Sequence, residues 1–252
     1  VPDFLGKRFG DKSGLIEGIS ALIIIIFFVP YTASGFVACG KLFSSLFNAN
    51  YYVAMIVSSI VIVAYTTMGG FMAASVTSLI QALVMTAALI AVLVFGIVSV
   101  GGWSNVIQYA QQVPGYFSLT SSTSIFTAAS DVGKFGFIPI VSTLAWGLGY
   151  FGMPHVLLHF MAAENKEDLT MSRRVGTVWV FVSMAVAVIV GLVGYAMSMS
   201  GLIDLQETAS GAENIIVNIS AFMSTHGAIL AIVCGLILAG ILAATMSTAD
   251  AQ

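Results

Sequence analysis

Helix-weakening residues cluster in one apolar stretch of this chain, between Trp146 and His155, which reads WGLGYFGMPH. Pro154 cannot donate a backbone hydrogen bond to the carbonyl of Tyr150, and its ring crowds that carbonyl. Each glycine weakens a helix by about 1 kcal/mol relative to alanine. At bilayer depth, such a segment is tolerated only where it is buried in protein or lines a cavity. The stretch therefore predicts an interrupted membrane helix at a transport site.

A second stretch, AGILAATMSTAD at residues 239–250, carries hydroxyl groups on an apolar helix. Helical side chains lean toward the preceding turn, so the hydroxyls of Ser247 and Thr248 can converge on the carbonyl of Ala244. Three neutral oxygens form a partial shell for a small monovalent cation that must bind and leave again. The alternative is that these hydroxyls bond to their own helix or join neighbouring helices. Spacing alone leaves both interpretations open.

The composition is that of a membrane protein. Hydrophobic residues make up 59% of the 252 residues and charged residues 8%, whereas soluble domains carry about 25% charged residues. Six stretches reach or approach the roughly 20 apolar residues that cross a bilayer. They predict an all-α membrane protein with six transmembrane helices in a single domain over residues 1–252. The predicted spans cover residues 18–43, 52–68, 72–98, 137–160, 175–199 and 228–247.

The two ends of the chain and its basic residues predict its context and orientation. The opening VPDFLGKRFGDK is polar and is predicted to form a loop, not a signal peptide. The first residue is not methionine and the last lies just after an apolar run, so we expect a piece of a longer protein. Most basic residues fall on one side of the alternating spans, which predicts that both termini are cytoplasmic. That side holds Lys7, Arg8, Lys12, Lys166, Arg173 and Arg174, against Lys41 and Lys134 on the other.

The connections differ in length. Residues 68–70, Met-Gly-Gly, predict a tight turn between antiparallel second and third spans. Residues 101–136 form a long outside connection, which is either functional or simple surface. Ser210 and Glu213 fit a capping box, and the apolar residues that follow predict a short amphipathic helix over the outer mouth. Cys39 and Cys234 lie in apolar spans and are predicted to be buried free thiols.

Several blocks of this chain together resemble the sodium:solute symporter family, and most closely its sodium/proline branch. They are VPDFLGKRFGDKS at the start, FFVPYTASG at 27–35, YTTMGGFMAASVTSLIQA at 65–82, WGLGYFGMPH at 146–155 with LLHFMAAENKEDLTMSRRVGTVW after it, and ILAATMST at 241–248. The resemblance implies the inverted-repeat fold of leucine-transporter-type carriers, with the chain spanning about core helices three to eight. It implies sodium-coupled uptake of a small organic solute, with proline the leading candidate, by alternating access across the cell membrane.

The resemblance also implies roles for individual residues. Trp146, Tyr150 and Pro154 match solute-binding positions, and freed backbone groups near Gly149 and Tyr150 could meet polar atoms of the solute. Tyr31, beside Pro30, is a further candidate for the cavity. Ala244, Ser247 and Thr248 match one half of a sodium site, whose other half belongs to a helix that the chain lacks.

One position departs from the family motif and leaves a question open. Ser78 stands where the family commonly has an aspartate, so an auxiliary cation site or carboxylate-assisted sodium release on this helix is in doubt. Ser75, Thr77 and Gln81 complete a polar strip that is expected to serve helix contacts.

Other classes of function remain as alternatives or are excluded. The leading alternative is a transporter-like sensor module of a signalling receptor, which would differ in the region beyond this chain. His155 and His159 have a metal-binding spacing, but no third ligand or catalytic carboxylate is apparent, so an intramembrane metalloenzyme is not expected. The chain shows no nucleophile and base pair, no phosphate-binding loop and no nucleic-acid surface. We therefore do not expect an enzyme. The expected partners are sodium, the solute and the lipid bilayer.

Overall fold

A computed structural model describes residues 1–47, 49–122, 133–204 and 213–251. Helices dominate it. They are α1 (Pro2–Phe9), α2 (Leu15–Phe47), α3 (Tyr51–Ser99), α4 (Trp103–Gln111), α5 (Phe137–Gly149), α6 (Pro154–Met161), α7 (Lys166–Met199), α8 (Ile215–Ser224) and α9 (Ala228–Ala251), with a short 3-10 helix at Tyr150–Gly152. The strands β1 (Ser121–Ser122) and β2 (Gly133–Lys134) pair antiparallel, with Ser121 opposite Lys134.

Several of these helices are long and apolar enough to cross a membrane. Four pass this test alone, and the bent pair α5 and α6 would be a fifth span. The four are Leu15–Ser44 of α2, α3, α7 and Ala228–Ala249 of α9. The protein is therefore a helical, multi-pass membrane protein. The exact span limits and the single domain stay predictions.

Helix α3 is interrupted at the predicted tight turn. Gly70 adopts φ 60° and ψ −162° inside the helix, a backbone conformation that residues with a Cβ rarely adopt. The neighbouring Gly69 leaves no room for a side chain, because a Cβ there would overlap the Cβ of Ala73. Two glycines thus separate residues 51–69 from residues 71–99.

The polar opening of the chain is a helix, so the prediction of a loop there is wrong. Pro2 lies at the start of α1, and Gly10 ends it in the left-handed conformation, which is the usual placement of proline and glycine at helix ends. Asp11 then organises the start of α2. Its carboxylate accepts hydrogen bonds from the Ser13 hydroxyl at 2.7 Å and the Ile16 amide at 2.7 Å. These bonds lower the pKa of the Asp11 carboxyl, and the bond from the Ser13 hydroxyl has the largest effect.

The chain divides into two compact units. Unit 1 comprises residues 1–81, 146–171 and 242–252, and unit 2 comprises residues 82–145 and 172–241. In unit 1, the buried residues Cys39, Ile62 and Ala249 join α2, α3 and α9. Cys39 and Cys234 are buried and free, as predicted.

Unit 2 has the larger core. Its buried residues come from α3, α4, α7, α8 and α9, and include Val92, Val106, Val193 and Ile219. A specific polar contact joins two of its helices, because the indole of Trp179 on α7 donates to the hydroxyl of Thr86 on α3 at 3.0 Å.

Two connections between the long apolar helices contain short helices of their own. Helix α4 lies at the start of the 101–136 connection and buries Val106 and Ala110. The predicted amphipathic helix exists as α8, but its N-cap residue is Asn214, which makes no side-chain capping bond. Glu213 lies in the turn before it, and Ser210 is outside the described residues. Helix α8 packs closely on α7, because Gly194 leaves room for the side chain of Ile215.

Candidate functional site

The predicted interruption is present in the fourth hydrophobic stretch. Helix α5 ends at Gly149, and residues 150–152 tighten into a 3-10 turn. Met153 is extended with φ −72° and ψ 118°, and Pro154 opens α6 as its first residue. The axes of α5 and α6 differ by 44°. The structure thus confirms a broken helix at the Gly and Pro residues that the sequence singled out.

The aromatic side chains predicted to bind solute at this break are exposed to solvent. Trp146 is 75% exposed and Tyr150 is 49% exposed, and a Cβ at Gly149 would meet no atom within 4 Å. Pro154 is partly buried. In the described part of the chain, Trp146 and Tyr150 therefore face no enclosed cavity, and a common aromatic wall between them stays a prediction.

The hydroxyls of α9 differ in their partners. The Thr248 hydroxyl donates to the Ala244 carbonyl at 3.1 Å, which is one of the two contacts expected at this carbonyl. The Ser247 hydroxyl instead lies 2.8 Å from the Ser78 hydroxyl on α3. Both contacts are of the kinds given by the alternative interpretation, since one hydroxyl bonds back to its own helix and the other joins a neighbouring helix, and the cation half-site stays a prediction.

A cavity of about 340 Å³, open to the surface, lies between α2 and α9. Its lining includes no Asp, Glu, Lys, Arg or His side chain, and its polar groups are hydroxyls and backbone groups. The lining comprises Tyr31, Ser34, Gly35, Ala38, Ala244, Thr245 and Thr248. The two helices approach closely beside it, because a Cβ built on Gly35 would lie 3.3 Å from the Cβ of Ala249. The cavity thus brings Tyr31 together with two of the predicted sodium-site residues, Ala244 and Thr248.

His155 connects the helix break with this cavity. Its ring stacks on Tyr31, with 6.3 Å between centroids and 27° between planes, and meets Phe28 edge-on at 5.7 Å. Its Nδ1 atom is buried and finds no hydrogen-bond partner among the described residues. His159 lies one turn further on, where its Nδ1 contacts the carbonyl of His155 at 2.8 Å. Within the described residues, no group of three His, Cys, Asp or Glu side chains that could hold a metal ion is found.

All of the predicted site residues lie in unit 1. Sequence reasoning missed Ser34 and Thr245 as lining residues and considered His155 only as a metal ligand. A signal for Ser34 and Thr245 was present: each lies three residues from a predicted site residue on the same helix, and this spacing places side chains on one face. The contact between His155 and Tyr31 joins positions far apart in sequence, so spacing could not reveal it.

A helix broken inside an apolar stretch is tolerated in a membrane protein only where the break is buried in protein or lines a cavity, because lipid-exposed helices keep their backbone bonds intact. Comparison with known families specifies the class of membrane protein. The chain belongs to the sodium:solute symporter family, whose model matches residues 1–252. This confirms the resemblance predicted from the motifs.

Named relatives of the chain are transporters. The chain is 35% identical over 252 residues to a sodium/proline symporter of Staphylococcus aureus (strain USA300 / TCH1516), covering 100% of this chain and 45% of the relative. It is 36% identical over 252 residues to the osmoregulated proline transporter OpuE of Bacillus subtilis (strain 168), covering 100% of this chain and 47% of the relative. The chain therefore spans about half the length of these relatives. No solved structure matches it.

Proposed function

We propose that the full-length protein carrying this segment is a sodium-coupled symporter that takes up a small organic solute, most specifically proline. The observation that carries the proposal is the interrupted helix α5–α6 in a chain that belongs to the sodium:solute symporter family. Relatives that match the whole chain are named as proline transporters. Such naming favours proline over other solutes and favours a carrier over a sensor module or an enzyme.

The fold proposed for the full-length protein is the inverted repeat of leucine-transporter-type carriers, of which this chain supplies core helices three to eight. The count of six spans treats the two arms of α3, on either side of Gly70, as separate spans and α5–α6 as one broken span. In such folds, a discontinuous helix near the midplane binds solute while one bundle rocks against another. We place the protein in the cell membrane with both ends of this segment in the cytoplasm, in accord with its basic residues.

For the solute, we assign Trp146, Gly149, Tyr150, Pro154 and Tyr31. The break supports this assignment because Pro154 has no N–H to donate to the Tyr150 carbonyl, which accepts instead a long bond of 3.4 Å from the Met153 amide. Aromatic rings at Trp146 and Tyr150 would offer flat apolar surfaces to a pyrrolidine ring. Their exposure leaves them free to contact a solute or a segment of the protein outside this chain.

For sodium, we assign a half-site formed by the Ala244 carbonyl with the hydroxyls of Ser247 and Thr248. The remaining ligands would come from a helix outside this chain. Neutral oxygens suit an ion that must be released in each cycle. If sodium favours the state that binds solute, each ligand raises the affinity for the other by the same factor. The membrane potential then contributes about 2.3 kcal/mol per sodium charge for each 100 mV.

Counterflow of labelled proline tests the proposal. The full-length protein is reconstituted into vesicles loaded with unlabelled solute, and uptake of labelled proline is measured with sodium or with potassium outside. We expect counterflow with proline inside and sodium present, and little with potassium. A panel of loaded sugars, vitamins and organic acids identifies the solute if proline is inactive. Solute binding without counterflow for any member of the panel would favour a sensor module and overturn the proposal.

A further inference from the structure

Two hydroxyl groups that line the α2–α9 cavity, one from each helix, donate their protons within their own helices. The Ser34 hydroxyl donates to the Tyr31 carbonyl at 2.6 Å, and the Thr248 hydroxyl donates to the Ala244 carbonyl at 3.1 Å. A hydroxyl has one proton and two lone pairs. Because each proton is used within its own helix, the remaining capacity of each oxygen is that of a hydrogen-bond acceptor.

The cavity brings these acceptors together. Ser34 and Thr248 both line it, and the small residues Gly35 and Ala38 leave its α2 wall open. The lining includes no Lys, Arg or His side chain that could receive a negative group, and no carboxylate that would hold a multivalent ion tightly. A wall of neutral acceptor oxygens stabilises a single positive charge and disfavours an anion.

We propose that Ser34 is a further ligand of this site: its oxygen, on α2, contacts a monovalent cationic centre that Thr248 contacts from α9. The positive centre is a sodium ion or the ammonium group of a bound amino acid, since both require acceptor oxygens. This inference rests on the proposed function and adds to it a second residue of α2, one turn after Tyr31.

The opposing interpretation is that Ser34 only satisfies its hydroxyl within α2. Ser20 provides a matched control for it. The Ser20 hydroxyl lies on the same helix and donates to the Glu17 carbonyl at 3.0 Å, also three residues earlier, but Ser20 does not line the cavity. If back-bonding alone gives Ser34 its role, Ser34→Ala and Ser20→Ala should behave alike.

The test uses the full-length protein in vesicles with Ser34→Ala, Ser34→Cys, Ser34→Thr and Ser20→Ala. Two constants are measured for each: the sodium concentration for half-maximal proline uptake at saturating proline, and the proline concentration for half-maximal uptake at saturating sodium. We expect Ser34→Ala to raise one of the two about tenfold, the effect of losing one acceptor to a charged group. Ser34→Thr keeps the hydroxyl and should resemble the wild type. Ser34→Cys replaces the hydroxyl with a thiol, which is a weak acceptor. It is used for the same comparison if Ser34→Ala does not reach the membrane.

The pattern of change identifies the positive centre. If it is sodium, the sodium constant rises and the proline constant at saturating sodium is unchanged. If it is the solute ammonium, the proline constant rises instead. Tetrahydro-2-furoate has a ring oxygen in place of the amine and tests this case as a competitor of labelled proline. The difference between its inhibition constant and that of unlabelled proline should then be smaller in Ser34→Ala than in the wild type.

Two failures are distinguishable. Absence of sodium-dependent proline counterflow in the wild type contradicts the proposed function itself. An active wild type in which Ser34→Ala and Ser34→Cys match Ser20→Ala in both constants overturns the role of Ser34 alone.

Discussion

The imidazole of His155 stacks on the ring of Tyr31, with 6.3 Å between centroids and 27° between planes. His155 is the second residue of α6, directly after Pro154, and Tyr31 lines the cavity between α2 and α9. Both residues belong to unit 1. This contact therefore attaches the second half of the broken helix to one wall of the cavity. A change in the position of α6 would be transmitted to Tyr31 through ring packing.

We predict that His155→Ala raises the proline concentration for half-maximal uptake about two- to tenfold, since an aromatic pair contributes about 0.5–1.5 kcal/mol. His155→Phe keeps a ring in this place and should remain close to the wild type. The measurement is uptake at saturating sodium in vesicles. The control is His159→Ala, because the His159 ring packs on Phe71 at 5.2 Å and not on Tyr31. Equal effects of His155→Ala and His155→Phe would show that ring stacking does not support Tyr31.

Local chemistry explains which features the sequence could predict. The break at Pro154 and the turn at Gly70 follow from residues that cannot form a regular helix, so they are visible without tertiary structure. Helix α1 differs from the predicted loop because polar composition alone does not exclude a helix, and Pro2 and Gly10 mark its two ends.

Contacts between distant residues could not be predicted in the same way. The bond between Ser78 and Ser247 joins positions 169 residues apart. Composition and spacing show that each hydroxyl needs a partner, but the choice of partner depends on how α3 and α9 pack. The same holds for the cavity, because Tyr31 and Thr248 meet only through the close approach of α2 and α9 at Gly35.

For the residues at the break, we predict that Trp146→Ala and Tyr150→Ala each raise the proline constant about tenfold, as expected for aromatic residues at the centre of a binding site. Leu148→Ala is the matched control, because Leu148 lies between them and is 70% exposed. Uptake at saturating sodium gives the three constants. If Leu148→Ala weakens proline binding as much as the other two, a general effect on α5 explains all of them and the solute assignment is wrong.

For the sodium half-site, we predict that the double substitution Ser247→Ala with Thr248→Ala raises the sodium concentration for half-maximal uptake about tenfold or more, because two oxygen ligands are removed. The maximal rate at saturating sodium should change less. Ser75→Ala is the control, since its hydroxyl donates to the Phe71 carbonyl at 2.8 Å on the polar strip of α3. An unchanged sodium dependence in the double variant would remove the half-site from this position.

The start of α2 should respond to acid. Hydrogen bonds lower the pKa of the Asp11 carboxyl in the folded protein, so its contribution to stability is present above the ordinary carboxyl pKa and disappears as the pH falls through the lowered value. The amides of Ser13 and Ile16 both donate to the Asp11 carboxylate, at 2.9 Å and 2.7 Å. Their hydrogen exchange, corrected for the intrinsic rate, should show loss of protection below about pH 4. Asp11→Asn should remove this pH dependence. Persistence of the same acid transition in Asp11→Asn would assign it to another group.

The packing of α8 on α7 leads to a prediction about stability. A Cβ at Gly194 would overlap the side chain of Ile215, whereas a Cβ at Gly191 on the same helix would meet no atom within 4 Å. Gly194→Ala should therefore destabilise the protein by about 1–3 kcal/mol through overpacking, and Gly191→Ala should not. Adding Ile215→Val to Gly194→Ala removes the terminal methyl group and should restore part of the loss. Thermal unfolding of the full-length protein in detergent measures all three variants. Similar unfolding temperatures for Gly194→Ala and Gly191→Ala would contradict the close packing of Ile215 on Gly194, and therefore the packing of α8 on α7.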